Sequence, residues 1–247
     1  MDRSEMDRFS MTPQAAFTTT TVASAEKVTA FLRKVYGWMF VGLGISAATA
    51  LGVVASGFAY TIATTPALNW GLFIGLFALA MFLQYRVDRI QPTTASMLFV
   101  IYSVAMGAWL SVIFLIFNIP SIAAAFVVTA GAFGAMALFG TVTKRSLAGV
   151  GQFLYMGFIG IFIALLVSAF WRSAAQNVGL QFVISVVGVI VFTGLTAWKA
   201  QQLKQLALAL PDGREGSYAV VGALQLYITF INLFLMLLRL LGGGRRN

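Results

Sequence analysis

Three polar side chains interrupt the apolar string that runs from Ala219 to Leu238. Gln225, Thr229 and Asn232 follow one another at spacings of four and three, and Met236 and Arg239 continue the series. On a helix that spacing puts them on a single face. Lys199 lies in another apolar region, three residues after Thr196, and Asp88 stands between Arg86 and Arg89. Groups of these types suit the handling of an ion or solute inside a membrane, where polar side chains face a bundle interior or a water-filled cavity. The neutral ones suit a second role equally, hydrogen bonding between helices at about 0.6 to 2 kcal/mol per contact. Spacing alone leaves both open.

The missing residue types narrow the chemistry further. Cysteine and histidine are both absent, so thiolate nucleophiles, Ser-His pairs, His-ligated zinc and Cys- or His-held iron are excluded. A retinal Schiff base would need a lysine deep in the last apolar segment, and that segment has none. A proton-coupled carrier would want Asp, Glu or His within the spans; of the seven acids, Asp2, Glu5, Asp7 and Glu26 lie near the N-terminus, Asp212 and Glu215 lie before the last segment, and only Asp88 approaches the middle of the chain. The expectation is a protein that is not an enzyme, with no cofactor, no metal and no nucleic-acid partner.

The elements that hold these residues follow from the distribution of charge. The 247 residues are 60% hydrophobic and 9% charged, with mean hydropathy +0.91; a soluble domain is about 25% charged. No charge falls from Val35 to Tyr85, from Ile90 to Thr143, from Ser146 to Trp171, between Arg172 and Lys199, or from Gly216 to Leu238. A spanning helix takes about 20 apolar residues to cross about 30 Å of hydrocarbon, so the two long gaps hold two spans each and the others one. The predicted architecture is an all-α membrane protein, a multi-pass bundle of seven transmembrane helices whose partner is the lipid bilayer. The long gaps break at Thr61-Ile62-Ala63-Thr64-Thr65-Pro66 and at Asn118-Ile119-Pro120-Ser121, polar stretches whose prolines disfavour helix just before them.

Residues 1–24 read as a polar, Ser/Thr-rich disordered tail, 25–242 as the seven-helix domain and 243–247 as a short basic tail, with Ser24 capping a helix that starts at Ala25. With the N-terminus in the cytoplasm, 12 of the 16 Lys and Arg fall in cytoplasmic segments, as the positive-inside rule demands. The basic C-terminus fits that arrangement least well, and a re-entrant last segment is the alternative. Gly71 and Gly75 form a small-xxx-small pair, expected to pack inside the bundle, as are Gly37, Gly42 and Gly44. Lys199 is expected at the cytoplasmic end of its helix, free to snorkel or to pair with Asp88.

The string Gly222-Ala223-Leu224-Gln225-Leu226-Tyr227-Ile228-Thr229-Phe230-Ile231-Asn232-Leu233-Phe234-Leu235-Met236-Leu237-Leu238-Arg239-Leu240-Leu241-Gly242 closely resembles the last span of the bacterial branch of the Bax inhibitor family. So do Gly194-Leu195-Thr196-Ala197-Trp198 with Gln201, Thr143-Lys144-Arg145-Ser146-Leu147 with Gly149 and Gly151, and Phe31-Leu32-Arg33-Lys34-Val35-Tyr36. The resemblance covers about residues 27 to 242. It implies a bacterial cytoplasmic (inner) membrane protein, a central last helix wrapped by six others, and a pH-sensitive calcium leak. It also implies a latch of two aspartates, one near the cytoplasmic end of span six and one within span seven, where calcium finds hard oxygen ligands and close carboxylates share a proton. Some bacterial relatives are thought to regulate a membrane-anchored protease instead.

This chain departs from that pattern at both latch positions. The family's aromatic-Asp-x-Gln reads Trp198-Lys199-Ala200-Gln201 here, and its Tyr-Leu-Asp-Phe-Ile-Asn reads Tyr227-Ile228-Thr229-Phe230-Ile231-Asn232. An ammonium repels a divalent cation where a carboxylate pair attracts it. The expectation is therefore a leak-channel or transport-like protein with a weakened calcium leak, its pore or latch residues being Lys199, Thr229, Asn232, Gln225, Thr196, Asp88 and Arg86. The alternative is a non-transporting partner of a membrane-anchored protease.

Overall fold

The computed structural model describes residues 13–170, 177–211 and 213–242. Its helices are α1 (Pro13–Ala55), α2 (Phe58–Thr64), α3 (Pro66–Tyr85), α4 (Pro92–Leu110), α5 (Ile113–Ile116), α6 (Ile119–Val142), α7 (Ala148–Phe170), α8 (Val178–Ala209) and α9 (Glu215–Leu241). Seven stretches within them are long and apolar enough to cross a membrane, and no strand occurs among the described residues.

Helix boundaries follow local chemistry. Pro66 and Pro92 open α3 and α4, where a fixed φ is an advantage and no N–H is missed. Asn118 caps α6 by accepting from the Ser121 N–H at 2.8 Å, and Asn177 caps α8 by accepting from Leu180 N–H at 3.0 Å. The break in the second long gap therefore falls where the sequence put it. The first gap breaks at Thr65-Pro66, within the expected stretch, and also at Ser56-Gly57 where the chain leaves α1, with Thr61–Thr64 helical between the two. Gly57 has φ +76°, a left-handed conformation that glycine enters without steric cost.

Two further expectations are corrected. α1 begins at Pro13 rather than Ala25, and Ser24 is an interior helical residue; Pro13 is a favoured first helical residue, and Gln14, Ala15 and Ala16 are good helix formers. Residues 1–12 and 243–247 lie outside the described residues. Gly71 and Gly75 also do not pack inside the bundle: a Cβ on either would meet no atom within 4 Å, and the same holds at Gly37 and Gly44. Gly42 does pack closely, against Phe99 and Ser103 of α4.

α9 is the most enclosed span. Of its most apolar stretch 72% is buried, against 17 to 39% for the other six. It packs against α1, α3, α4, α6 and α8, while α7 lies on α8 and meets α3 where Phe162 stacks on Phe73 and Phe77. Large apolar side chains such as Phe40, Val127 and Phe153 point outward, as suits a surface whose solvent is hydrocarbon.

Candidate functional site

Lys199 and Thr229, far apart in sequence, meet at one atom. The Lys199 ammonium donates to the Gln225 carbonyl at 3.5 Å, and the Thr229 hydroxyl donates to the same carbonyl at 2.8 Å. Thr229 is buried, while Lys199, Gln225 and Asn232 are half-buried. The other hydroxyls and amides nearby turn inward on their own helices: Asn232 donates to Ile228 O, and Thr196 donates to Phe192 O, each at 2.8 Å. The polar stripe thus satisfies itself one turn back along the helix rather than bridging helices, a local mode open to Ser, Thr and Asn.

Lys199 does not stand at a helix end, because α8 runs on to Ala209. Nor does it pair with Asp88. That carboxylate sits in the turn between α3 and α4, where it accepts from the Tyr218 hydroxyl of α9, and the Arg214 guanidinium donates to its backbone carbonyl at 3.4 Å. Ser217 donates to Ile90 O at 2.7 Å in the same turn. These groups line a crevice of about 230 Å³ that also includes Arg89 and Gln91. Arg86 is exposed at the end of α3. Seven residues taken together in the sequence therefore separate into two places: Lys199, Thr229, Gln225, Asn232 and Thr196 along α8 and α9, and Asp88 and Arg86 at the turn that receives the start of α9.

Beside this stripe lies a junction whose role the sequence did not disclose. Gln201, buried, donates from Nε2 to Arg145 O and accepts at Oε1 from Leu147 N–H, both at 2.8 Å. Lys204 donates to Thr141 O at 2.7 Å. Gly140 lies against the Ala197 backbone, and Gly151 against the Trp198 ring. A second bond inside the bundle joins Tyr227 of α9 to Ser46 of α1 at 2.6 Å, with the rings of Phe99 and Tyr102 edge-on to Tyr227. A buried glutamine two residues beyond Lys199 was the available signal for the junction. Its partners are backbone atoms more than fifty residues away, and backbone leaves no mark in a side-chain pattern.

Among the described residues no three His, Cys, Asp or Glu come together as a metal would need. The arrangement supplies instead one ammonium and several neutral donors beside a half-accessible helix face.

The family model described as "Inhibitor of apoptosis-promoting Bax1" matches residues 28–247. The chain belongs to the Bax inhibitor family. Within it, the chain is 42% identical over 220 residues to the inner membrane protein YbhL of Escherichia coli strain K12, covering 87% of this chain and 92% of that one. It is 41% identical over 220 residues to an uncharacterised protein of Borreliella burgdorferi, covering 88% and 93%. An uncharacterised membrane protein of Streptococcus pyogenes serotype M1 is 31% identical over 215 residues, covering 86% and 92%. The Bax inhibitor match thus takes in all seven spans and both groups of polar residues.

Proposed function

We propose that this Bax inhibitor family member is a non-enzymatic inner-membrane protein with a leak-channel or transport-like role, in which the family's calcium leak is weak or absent. The observation that carries the reading is the convergence of the Lys199 ammonium and the Thr229 hydroxyl on the Gln225 carbonyl, at the two positions where the resemblance puts the latch aspartates. Calcium takes six to eight oxygen ligands, carboxylates among them. Here it would meet a positive charge and no carboxylate. The inner-membrane assignment rests on the similarity to the inner membrane protein YbhL and the seven apolar helices, and a cytoplasmic N-terminus rests on the distribution of Lys and Arg.

The test is calcium entry into liposomes that hold a calcium dye. The native chain is expected to give little entry and little change between about pH 5 and 8, where a carboxylate dyad would titrate; Lys199→Asp with Thr229→Asp is expected to create a pH-gated entry. A large pH-gated flux through the native chain would overturn the weakened leak.

The length of α1 favours one second reading, regulation of a membrane-anchored protease. At 43 residues it reaches about 65 Å, twice the hydrocarbon thickness, so part of it stands outside the bilayer as a handle for a partner. Removing residues 1–24 discriminates the two: a leak keeps its flux, and a tail-engaged partner is lost from a pull-down.

A further inference from the structure

The leak reading leaves the permeant species open, and the least enclosed face of α9 bears on it. Between Gln225 and Arg239 the half-buried positions of that helix are Gln225, Ile228, Asn232 and Leu235, with exposed Arg239 next in the series. They recur every three or four residues, so they form one continuous face. It extends about 21 Å from Gln225 to Arg239 at 1.5 Å per residue. Positive charge stands at both ends: the Lys199 ammonium reaches the Gln225 carbonyl at one, and Arg239 occupies the last turn of the helix at the other.

No carboxylate stands between those ends among the described residues. Glu26 is on α1, Asp88 is engaged by Tyr218, and Glu215 pairs with Lys34 at 2.9 Å. The crevice at the start of α9 is lined by Arg89 and Arg214 against Asp88, which leaves it net positive. Donors along the face also exceed the bonds they make: the ammonium carries three N–H and the Asn232 amide two, and each gives one to a backbone carbonyl. Pores for anions are lined by Lys or Arg, and pores for cations by Asp or Glu rings.

We infer that this face, with Lys199 and Arg239 at its ends, binds and passes small monovalent anions such as chloride. The inference rests on the leak reading and specifies its substrate class. Replacement of the latch carboxylates then inverts the sign of the ion served rather than simply closing a path. Lys199 supplies the charge, the amides of Gln225 and Asn232 replace part of the hydration shell, and Arg239 draws the anion along the helix.

The experiment uses the full chain in liposomes loaded with potassium chloride at pH 7, with valinomycin added to release the counter-charge and a chloride electrode outside. Parallel liposomes carry a calcium dye. Chloride efflux well above protein-free liposomes is expected, with Lys199→Gln lowering it about tenfold, Lys199→Arg retaining it, and Arg239→Gln lowering it about threefold. The arginine variant, together with gel filtration of each preparation, separates lost charge from lost folding. Calcium entry without chloride efflux would overturn the anion assignment and the weakened calcium leak, leaving only a leak role standing; chloride efflux unchanged in a well-folded Lys199→Gln would overturn the anion assignment alone. Movement of neither ion would overturn the leak reading itself.

Discussion

The two sides of α8 are held in opposite ways. Toward α6, α7 and their connection it is fastened by Gln201 and Lys204 to three backbone groups between Thr141 and Leu147, and Gly140 and Gly151 admit Ala197 and Trp198 at close range. Toward α9 the packing is close where Gly188 meets Met236 and Gly222 meets Leu203. The polar groups there, however, bond within their own helices, and the contact that Lys199 makes across is 3.5 Å long. Hydrogen bonds made within a helix survive its displacement, whereas bonds made between helices do not. The first side is therefore a frame fixed by hydrogen bonds between elements, and the second is held by close apolar packing with one long polar contact across it.

Substitutions can break this comparison, beginning with the most damaging. Gly140→Ala drives a methyl group into the Ala197 backbone, which has no flexible end to yield; a loss of about 3 kcal/mol is expected in unfolding by sodium dodecyl sulfate followed by circular dichroism. Gln201→Leu leaves Arg145 O and Leu147 N–H without their partner and should cost about 2 kcal/mol in the same titration; a cost near zero would mean that water replaces the glutamine and the frame is not fixed there. Tyr227→Phe removes one bond to Ser46 while keeping the ring between Phe99 and Tyr102, for about 1 kcal/mol. Thr229→Val removes a bond that never leaves α9 and should change stability by less than about 0.5 kcal/mol. A loss above about 1 kcal/mol at Thr229 would show that the stripe does bind helices together, and the contrast between the two sides would fall.

Much of the scaffold was legible in the sequence because a bilayer punishes misplaced charge severely. The gaps between charges give all seven spans, and Asn118 with Pro120 marks the start of α6 in the expected place. The same rule misleads at Lys199. A charge marks the edge of tolerable hydrocarbon, whereas a helix ends where its hydrogen bonding ends, and α8 continues through Gln201, Lys204 and Gln205 to Ala209. Asp88 was matched to the wrong partner for a related reason. Proximity to the membrane surface is readable from sequence, but which of several loops folds beside another is not, and the start of α9 took the carboxylate through Tyr218. The glycines divide likewise: Gly42 meets a neighbour and Gly71 none, a difference that depends on how neighbouring helices rotate.

The burial of α9 also bears on the order of events at synthesis. A chain emerges from its N-terminus at about 5 to 20 residues per second, so the six less enclosed spans are made before the one whose apolar stretch is 72% buried. Until then Tyr102 and Ser46 have no Tyr227 to meet, Lys34 has no Glu215, and Asp88 has no Tyr218. Contacts that do not involve α9, such as those of α1 with α4 and of α8 with α6 and α7, can form before it, whereas these wait for the final span. A chain that stops before residue 215 therefore has six spans and lacks the one against which Tyr102, Ser46, Lys34 and Asp88 are placed.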